Sequence, residues 1–202
     1  MANNFFNAVK PNISATASAP TTVYTPSGIK AIAIELDAAN KSTAGVTITV
    51  SIEDNSANAS ATAATVSSAA NGTFTDNSHG LVVGDRLLFA FNTAPNIASG
   101  STDSALLNTK IYYVQAADTN TFKIAETRSA GSPILFSSNG VSITYIKKAI
   151  SDIVRDAPVP VGGALKVIAG QKLVLEASDK LYAHCSSANN VDVVASVLAD
   201  VS

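Results

Sequence analysis

Charged residues are scarce in this chain, at 14% of its 202 residues, whereas globular domains usually contain about a quarter. The formal net charge is −2, so the basic patch typical of a nucleic-acid-binding protein is missing and we expect no nucleic-acid partner. Alanine, serine, threonine and asparagine take the place of the charges. Such a neutral, hydrogen-bonding surface suits contacts with other proteins, and we expect a homo-oligomer that works within an assembly.

Cysteine is nearly absent and tryptophan is absent. Cys185 is the single cysteine, so no disulfide within the chain is possible and packing must hold the fold together. No run of 18 apolar residues occurs, so the sequence predicts no membrane-spanning helix and we expect no membrane partner. The first residues lack the basic and apolar regions of a secretory signal, which favours synthesis in a cytoplasm.

Short apolar alternations separated by turn residues fill the rest of the chain. The stretch 157–199 contains four such pieces, and Val46, Ile48, Val50 and Ile52 alternate with polar residues. A period of two residues is typical of half-buried antiparallel strands. The sequence therefore predicts an all-β protein whose main domain is an Ig-like antiparallel sandwich.

The middle of the chain has strands, turns and aromatic residues of its own. Neither flank has enough strands to close a core alone, so we predict a discontinuous sandwich of residues 21–58 and 148–202 that carries an inserted β-module at 59–147. An insertion at a hairpin tip is tolerated because the cost of closing a loop grows only with the logarithm of its length. Two sequential domains are the alternative.

Residues 1–20 are polar and small, and they contain few large apolar side chains. This composition predicts an extended N-terminal arm without its own core. The arm is either disordered in the free protein or docked on a neighbouring subunit through Phe5 and Phe6, since exposed phenylalanines on a free tail would be a liability. The candidate assembly contacts are Phe5, Phe6, Val9 and Ile13.

No group of residues indicates catalysis, and we expect no catalytic, metal or cofactor site. His184 and Cys185 are adjacent, but neighbours on a strand point to opposite faces and cannot act as a nucleophile and base pair. His79 precedes Gly80, which favours a hydrogen bond from its side chain to backbone in a turn. The aspartates at 54, 76, 103 and 118 lie in turn-like stretches and favour Asx turns over calcium binding.

Three segments of the predicted sandwich carry a family resemblance. They are DAPVPVGGAL at 156–165, QKLVLEA at 171–177 and VDVVASVL at 191–198, together with MANNF at 1–5 and VYT at 23–25. The chain resembles small virion proteins of tailed bacteriophages. The resemblance implies an Ig-like sandwich without enzymatic activity, placed in the neck, in the tail or on the head surface, with portal, tail or capsid proteins as partners. In that family a short hairpin stands where this chain has residues 59–147.

The middle block is similar to a module that recurs in phage tail and fibre proteins. The similar runs are TDNSHGLVVGDR at 75–86, KIYYV at 110–114 and DTNTFKI at 118–124. Together the two resemblances cover most of the chain. They are turn and strand patterns, and they carry no catalytic residue over.

These observations favour a non-enzymatic structural component of a phage virion, made in the host cytoplasm. The first alternative is a carbohydrate- or host-receptor-binding module that uses Tyr112, Tyr113 and the polar loop 93–109. The second is a hydrolase with an acidic pair that the sequence does not reveal.

Overall fold

The computed structural model describes residues 4–128 and 132–201. The described chain is all-β, as predicted, and its helical content is two short 3-10 turns at Asn55–Ala57 and Ala69–Asn71. It divides into a terminal unit, Met1–Ala57 with Ala149–Ser202, and an inserted unit, Asn58–Lys148. These divisions lie within one residue of the predicted boundaries at 58/59 and 147/148.

The terminal unit contains nine strands in the described residues: β1 (Asn4–Lys10), β2 (Thr21–Tyr24), β3 (Lys30–Asn40), β4 (Val46–Glu53), β13 (Ile150–Val159), β14 (Ala164–Ile168), β15 (Leu173–Glu176), β16 (Lys180–Cys185) and β17 (Val191–Ala199). The first sheet has the order β1-β17-β3-β14, with β15 also paired to β3. The second has the order β13-β4-β16-β2. All of these pairs are antiparallel.

The core of the terminal unit lies between the inner faces of its two sheets. Strand β17 shows the expected alternation, with Val191, Val193, Ala195 and Val197 fully buried. Val46, Ile48 and Val50 contribute from β4 in the other sheet. Side chains of alternate residues thus fill the space between two sheets, which is the arrangement of a β-sandwich.

The N-terminal segment is part of the sandwich, and the prediction of a separate arm at 1–20 is wrong for its described residues. All seven residues of β1 pair with β17, and the Ile13 side chain is fully buried in the core. The segment needs no core of its own because it completes one that the rest of the unit supplies. A strand added to an existing sheet needs only alternating side chains and free backbone groups beside it.

The inserted unit contains a closed six-stranded barrel and a separate strand pair. Its described residues form eight strands: β5 (Thr62–Ser68), β6 (Thr73–Thr75), β7 (Arg86–Ala90), β8 (Ile97–Ser99), β9 (Ile111–Ala117), β10 (Thr121–Ala125), β11 (Leu135–Phe136) and β12 (Ile143–Lys148). The barrel order is β10-β6-β5-β12-β7-β9, and β8 pairs separately with β11. Closure leaves the six barrel strands without an exposed sheet edge.

Aromatic rings fill the barrel. Phe74 stacks on Phe122 with ring centroids 5.2 Å apart, and it meets Phe136 edge-on at 5.4 Å. Tyr145 lies edge-on to Phe122 at 5.3 Å. These contacts belong to a core that is separate from that of the sandwich, so the inserted unit has the packing of an independent domain.

Candidate functional site

The strand β1 and the groove beside it expose apolar side chains at one side of the terminal unit. β1 lies at the end of the first sheet and β2 at the end of the second. Between them runs a groove of about 390 Å³ lined by residues 8–10 and 22–25. We call this the edge groove. It lies where the two sheets of the sandwich open at one side.

Side chains of β1 alternate between the sandwich interior and solvent. Phe6 points inward, where its ring meets that of Tyr24 edge-on at a centroid distance of 5.8 Å. Phe5 and Val9 point outward and are 63% and 57% exposed. Asn7 lies between them and accepts a hydrogen bond of 3.0 Å from the Ser196 hydroxyl. The strand therefore offers two large apolar side chains to a partner.

The apolar character continues across the outer face of the first sheet. Phe5 is opposite Leu198, Leu198 is opposite Ile32, and Ile32 is opposite Val174. Val174 at the far end is 53% exposed. A row of apolar side chains across neighbouring strands is the kind of patch that proteins use for contacts with other proteins.

The predicted assembly contacts thus divide into two groups. Phe5 and Val9 are exposed and free to meet a partner, whereas Phe6 is partly buried against the core and Ile13 is fully buried. Ile13 cannot contact another subunit, because its side chain is enclosed and its N–H donates to the Val191 carbonyl at 3.0 Å. For Ile13 the prediction is wrong.

The predicted receptor contacts are also buried. Tyr112 is fully buried and Tyr113 is 4% exposed. The Tyr112 hydroxyl accepts a hydrogen bond of 3.0 Å from the Leu107 N–H, and burial is the main cause that raises the pKa of Tyr112 to about 12. Tyr112 holds the loop 93–109 to the barrel, and neither tyrosine offers a contact surface, so this residue prediction is wrong.

Two carboxylates, Asp103 of that loop and Glu126 after β10, converge on Lys110. Lys110 Nζ lies 2.6 Å from Asp103 Oδ2 and 3.0 Å from Glu126 Oε1, and the Ser101 hydroxyl also donates to Glu126 Oε1. Burial lowers the pKa of Lys110, but the hydrogen bonds to Asp103 and Glu126 outweigh it and leave the pKa above its ordinary value. The group is an ion-pair network that fastens the loop to the barrel.

The turn predictions are confirmed for His79, Asp54 and Asp118. His79 Nδ1 accepts from the Leu81 N–H at 2.9 Å, so Nε2 carries the proton towards the Thr121 carbonyl. Asp54 Oδ1 accepts from two backbone N–H groups, and so does Asp118 Oδ1. Hydrogen bonds hold the pKa of both carboxyls below its ordinary value.

His184 and Cys185 lie on opposite faces of β16, as predicted. Cys185 is 2% exposed while His184 is partly exposed, and burial raises the pKa of the Cys185 thiol. Among residues 4–128 and 132–201, no three side chains of His, Cys, Asp or Glu come together in a way that could hold a metal ion.

A buried polar pair between β4 and β16 was not predicted from the sequence. Glu53 is fully buried, and the Tyr182 hydroxyl donates to Glu53 Oε2 at 2.7 Å. The alternation along β4 suggested that Thr49, Ser51 and Glu53 face solvent, whereas all three are buried. The sequence around Glu53 did not indicate Tyr182 as its partner, because the two residues meet only through the pairing of β4 with β16.

No helix in the described part of the chain is long and apolar enough to cross a membrane. Comparison with known proteins finds no matching family model, no matching curated protein and no matching solved structure.

Proposed function

We propose that this protein is a non-enzymatic structural component of a tailed-phage virion, in the neck, in the tail or on the head surface. The observation that carries the proposal is the exposed strand β1, where Phe5 and Val9 face solvent at the open side of a sandwich. A chain with so few charges gains little from long-range electrostatic attraction, so its contacts rest on apolar area and backbone hydrogen bonds.

The division into two units supports the same role. In the proposal the terminal unit binds portal, tail or capsid proteins and other copies of this chain, and the inserted barrel is a second module with its own core. The resemblance of both segments to phage structural modules agrees with this division of roles. Many weak contacts repeated by symmetry give stable attachment without a catalytic pocket.

The proposal is tested by quantifying the chain in phage particles purified through a density gradient. We expect a fixed number of copies per particle, and we expect the copies to remain after a wash at about 1 M salt, since screening weakens only charged contacts. Absence of the chain from purified particles, or complete release by salt, would overturn the proposal.

Host-receptor binding is the alternative for the inserted unit. Its predicted tyrosine contacts are buried, and Val82 and Val83, each 60% exposed, are the large apolar side chains that this unit offers most openly among its described residues. Binding of the purified protein to host cells, lost on replacing both valines by serine, would favour receptor binding over a purely structural role.

A further inference from the structure

β1 is the longest edge strand with an unbroken register among the described strands of the terminal unit; the opposite edge of its sheet has only β14 and β15, of five and four residues. Natural edge strands avoid pairing with other chains through proline, charge, bulges or short length. β2 has four residues and lies between Pro20 and Pro26. β13 has two register shifts and contains Pro158. β1 has seven residues, pairs with β17 without a register shift and contains no proline.

The sequence of β1 is complementary to itself when two copies run antiparallel. If Asn7 of one copy faces Asn7 of another, Phe5 falls opposite Val9, Phe6 opposite Ala8 and Asn4 opposite Lys10. The outward face then has two aromatic-to-β-branched pairs, which are favourable neighbours across strands. No residue with a charge faces a residue with the same charge.

The charges near this edge are also complementary. Lys10 is the single charged residue of β1, and in this arrangement it faces Asn4 of the other copy. Asn4 is opposite Ala199 of its own chain, and Asp200 follows immediately. In this arrangement Lys10 of one copy therefore lies at the same end of the edge as Asp200 of the other copy, which is one strand further in.

We propose that two copies of this chain pair edge to edge through β1, antiparallel and centred on Asn7, so that their first sheets form one continuous sheet. The pairing extends the apolar row of Phe5, Leu198, Ile32 and Val174 across the symmetry axis. This inference names the contact used in assembly and to that extent rests on the proposed function.

Disulfide trapping tests the register directly. Asn7→Cys places two cysteines opposite each other across the symmetry axis. Their Cα atoms then lie within the 4.4–6.8 Å that a disulfide requires. Val9→Cys is the matched control on the same strand and face, because its two copies lie about 13 Å apart at 3.3 Å per residue. The native Cys185 is buried, so the unmodified chain is the blank.

We expect mild oxidation to give covalent dimers from Asn7→Cys and from a mixture of Phe5→Cys with Val9→Cys. Val9→Cys alone should give far fewer dimers. Equal yields from Asn7→Cys and Val9→Cys would overturn the register. Monomers from every variant, at high-micromolar concentration, would overturn the pairing itself.

Charge substitution tests the same contact without a covalent bond. Phe5→Lys with Val9→Lys places ammonium groups opposite each other twice, and it alters only exposed side chains. We expect the dissociation constant of the dimer from analytical ultracentrifugation to rise at least about tenfold. Val82→Lys with Val83→Lys adds the same charge to the inserted unit and should leave the constant unchanged.

The reversal Lys10→Glu should weaken the dimer about two- to fivefold, and adding Asp200→Lys should restore it. Equal weakening by the Val82 and Val83 changes, or no rescue by Asp200→Lys, would contradict the proposed pairing. If the disulfide trapping succeeds but the chain is absent from purified virions, the virion role alone is refuted. If the chain is present in virions but does not pair through β1, this inference alone is refuted.

Discussion

Burial decides what the tyrosines and carboxylates of this chain can do. Four of the five tyrosines, Tyr112, Tyr113, Tyr145 and Tyr182, are at most 8% exposed. The sequence predicted outward roles for Tyr112 and Tyr113 because a polar loop precedes them. It could not show that Leu106 of that loop joins Tyr112 in the barrel core, or that Arg86 lies over the Tyr113 ring.

The hydrogen bond between Tyr182 and Glu53 contributes to the stability of the terminal unit. Tyr182→Phe removes a hydroxyl that lies 2.7 Å from a fully buried carboxylate. We expect a loss of about 1–3 kcal/mol in the free energy of unfolding, measured by urea denaturation. Tyr24→Phe removes the hydroxyl of a half-buried ring on β2 and should cost less. Equal losses for the two variants would show that the hydrogen bond between Tyr182 and Glu53 adds no stability of its own.

The buried tyrosines also predict a loss of stability in alkali. Burial raises the pKa of Tyr145 and Tyr182, aided by hydrogen bonds to Asp76 and Glu53, and that of Tyr112 to about 12. The folded state therefore keeps protons that the unfolded state releases above about pH 10. This stabilisation is complete below pH 10 and is lost as the pH rises through the folded-state values.

We expect the free energy of unfolding to fall above pH 10 by up to about 1.4 kcal/mol per pH unit for each tyrosine. Urea denaturation at several pH values, with tyrosinate absorbance as the titration signal, measures this slope. Tyr112→Phe should reduce it. If every tyrosine titrates near pH 10 in the folded protein, the expected effect of burial on their pKa values is contradicted.

At the scale of the element, turns were easier to predict than strand partners. His79, Asp54 and Asp118 act within a few residues of their own position, so local sequence determined their roles. Strand β1 pairs with β17, whose residues lie almost 190 positions away in the sequence. Its composition gave no sign of that partner, and it was therefore predicted to be a free arm.

The turn between β5 and β6 depends on a glycine. Gly72 has φ 63°, and a Cβ there would lie 2.0 Å from the Ile134 carbonyl oxygen. Gly80 has the same φ, but a Cβ there would meet nothing within 4 Å. Gly80→Ala should cost about 1–2 kcal/mol from backbone strain alone, and Gly72→Ala about 1–3 kcal/mol more because the barrel must shift.

Hydrogen exchange of the full chain measures this difference. Faster exchange in β5, β6 and β11 is expected for Gly72→Ala than for Gly80→Ala, while the strands of the terminal unit should exchange at unchanged rates. If both alanine variants exchange alike, the close approach of Gly72 to Ile134 has no energetic consequence.

At the scale of the whole molecule, the inserted unit leaves and re-enters the terminal unit at one place. Glu53 at the end of β4 is paired with Ile150 at the start of β13, and the Asp54 N–H donates to the Ala149 carbonyl at 3.0 Å. Within the inserted unit, the Ala59 N–H donates to the Lys147 carbonyl at 3.0 Å. Both units thus have their chain ends close together, which is typical of a domain insertion.

The sequence allowed this division to be predicted because each block shows its own strands, turns and aromatic residues. The barrel closure was not predicted, since periodicity reveals strands but not which strands meet. We expect a chain with residues 58–148 replaced by a short glycine-serine turn to fold cooperatively, and residues 58–148 alone to fold as well. Circular dichroism and amide NMR dispersion of both products check this expectation, and an unfolded product in either case would contradict the independence of the units.

The proposal that the terminal unit binds other subunits through β1 is tested by an electron cryomicroscopy map of purified virions in which the strands can be traced. We expect copies of this chain at repeated symmetric positions, with Phe5 and Val9 covered by a neighbouring subunit. A map in which the chain is present but both side chains remain exposed to solvent, or in which the chain is missing, would contradict it.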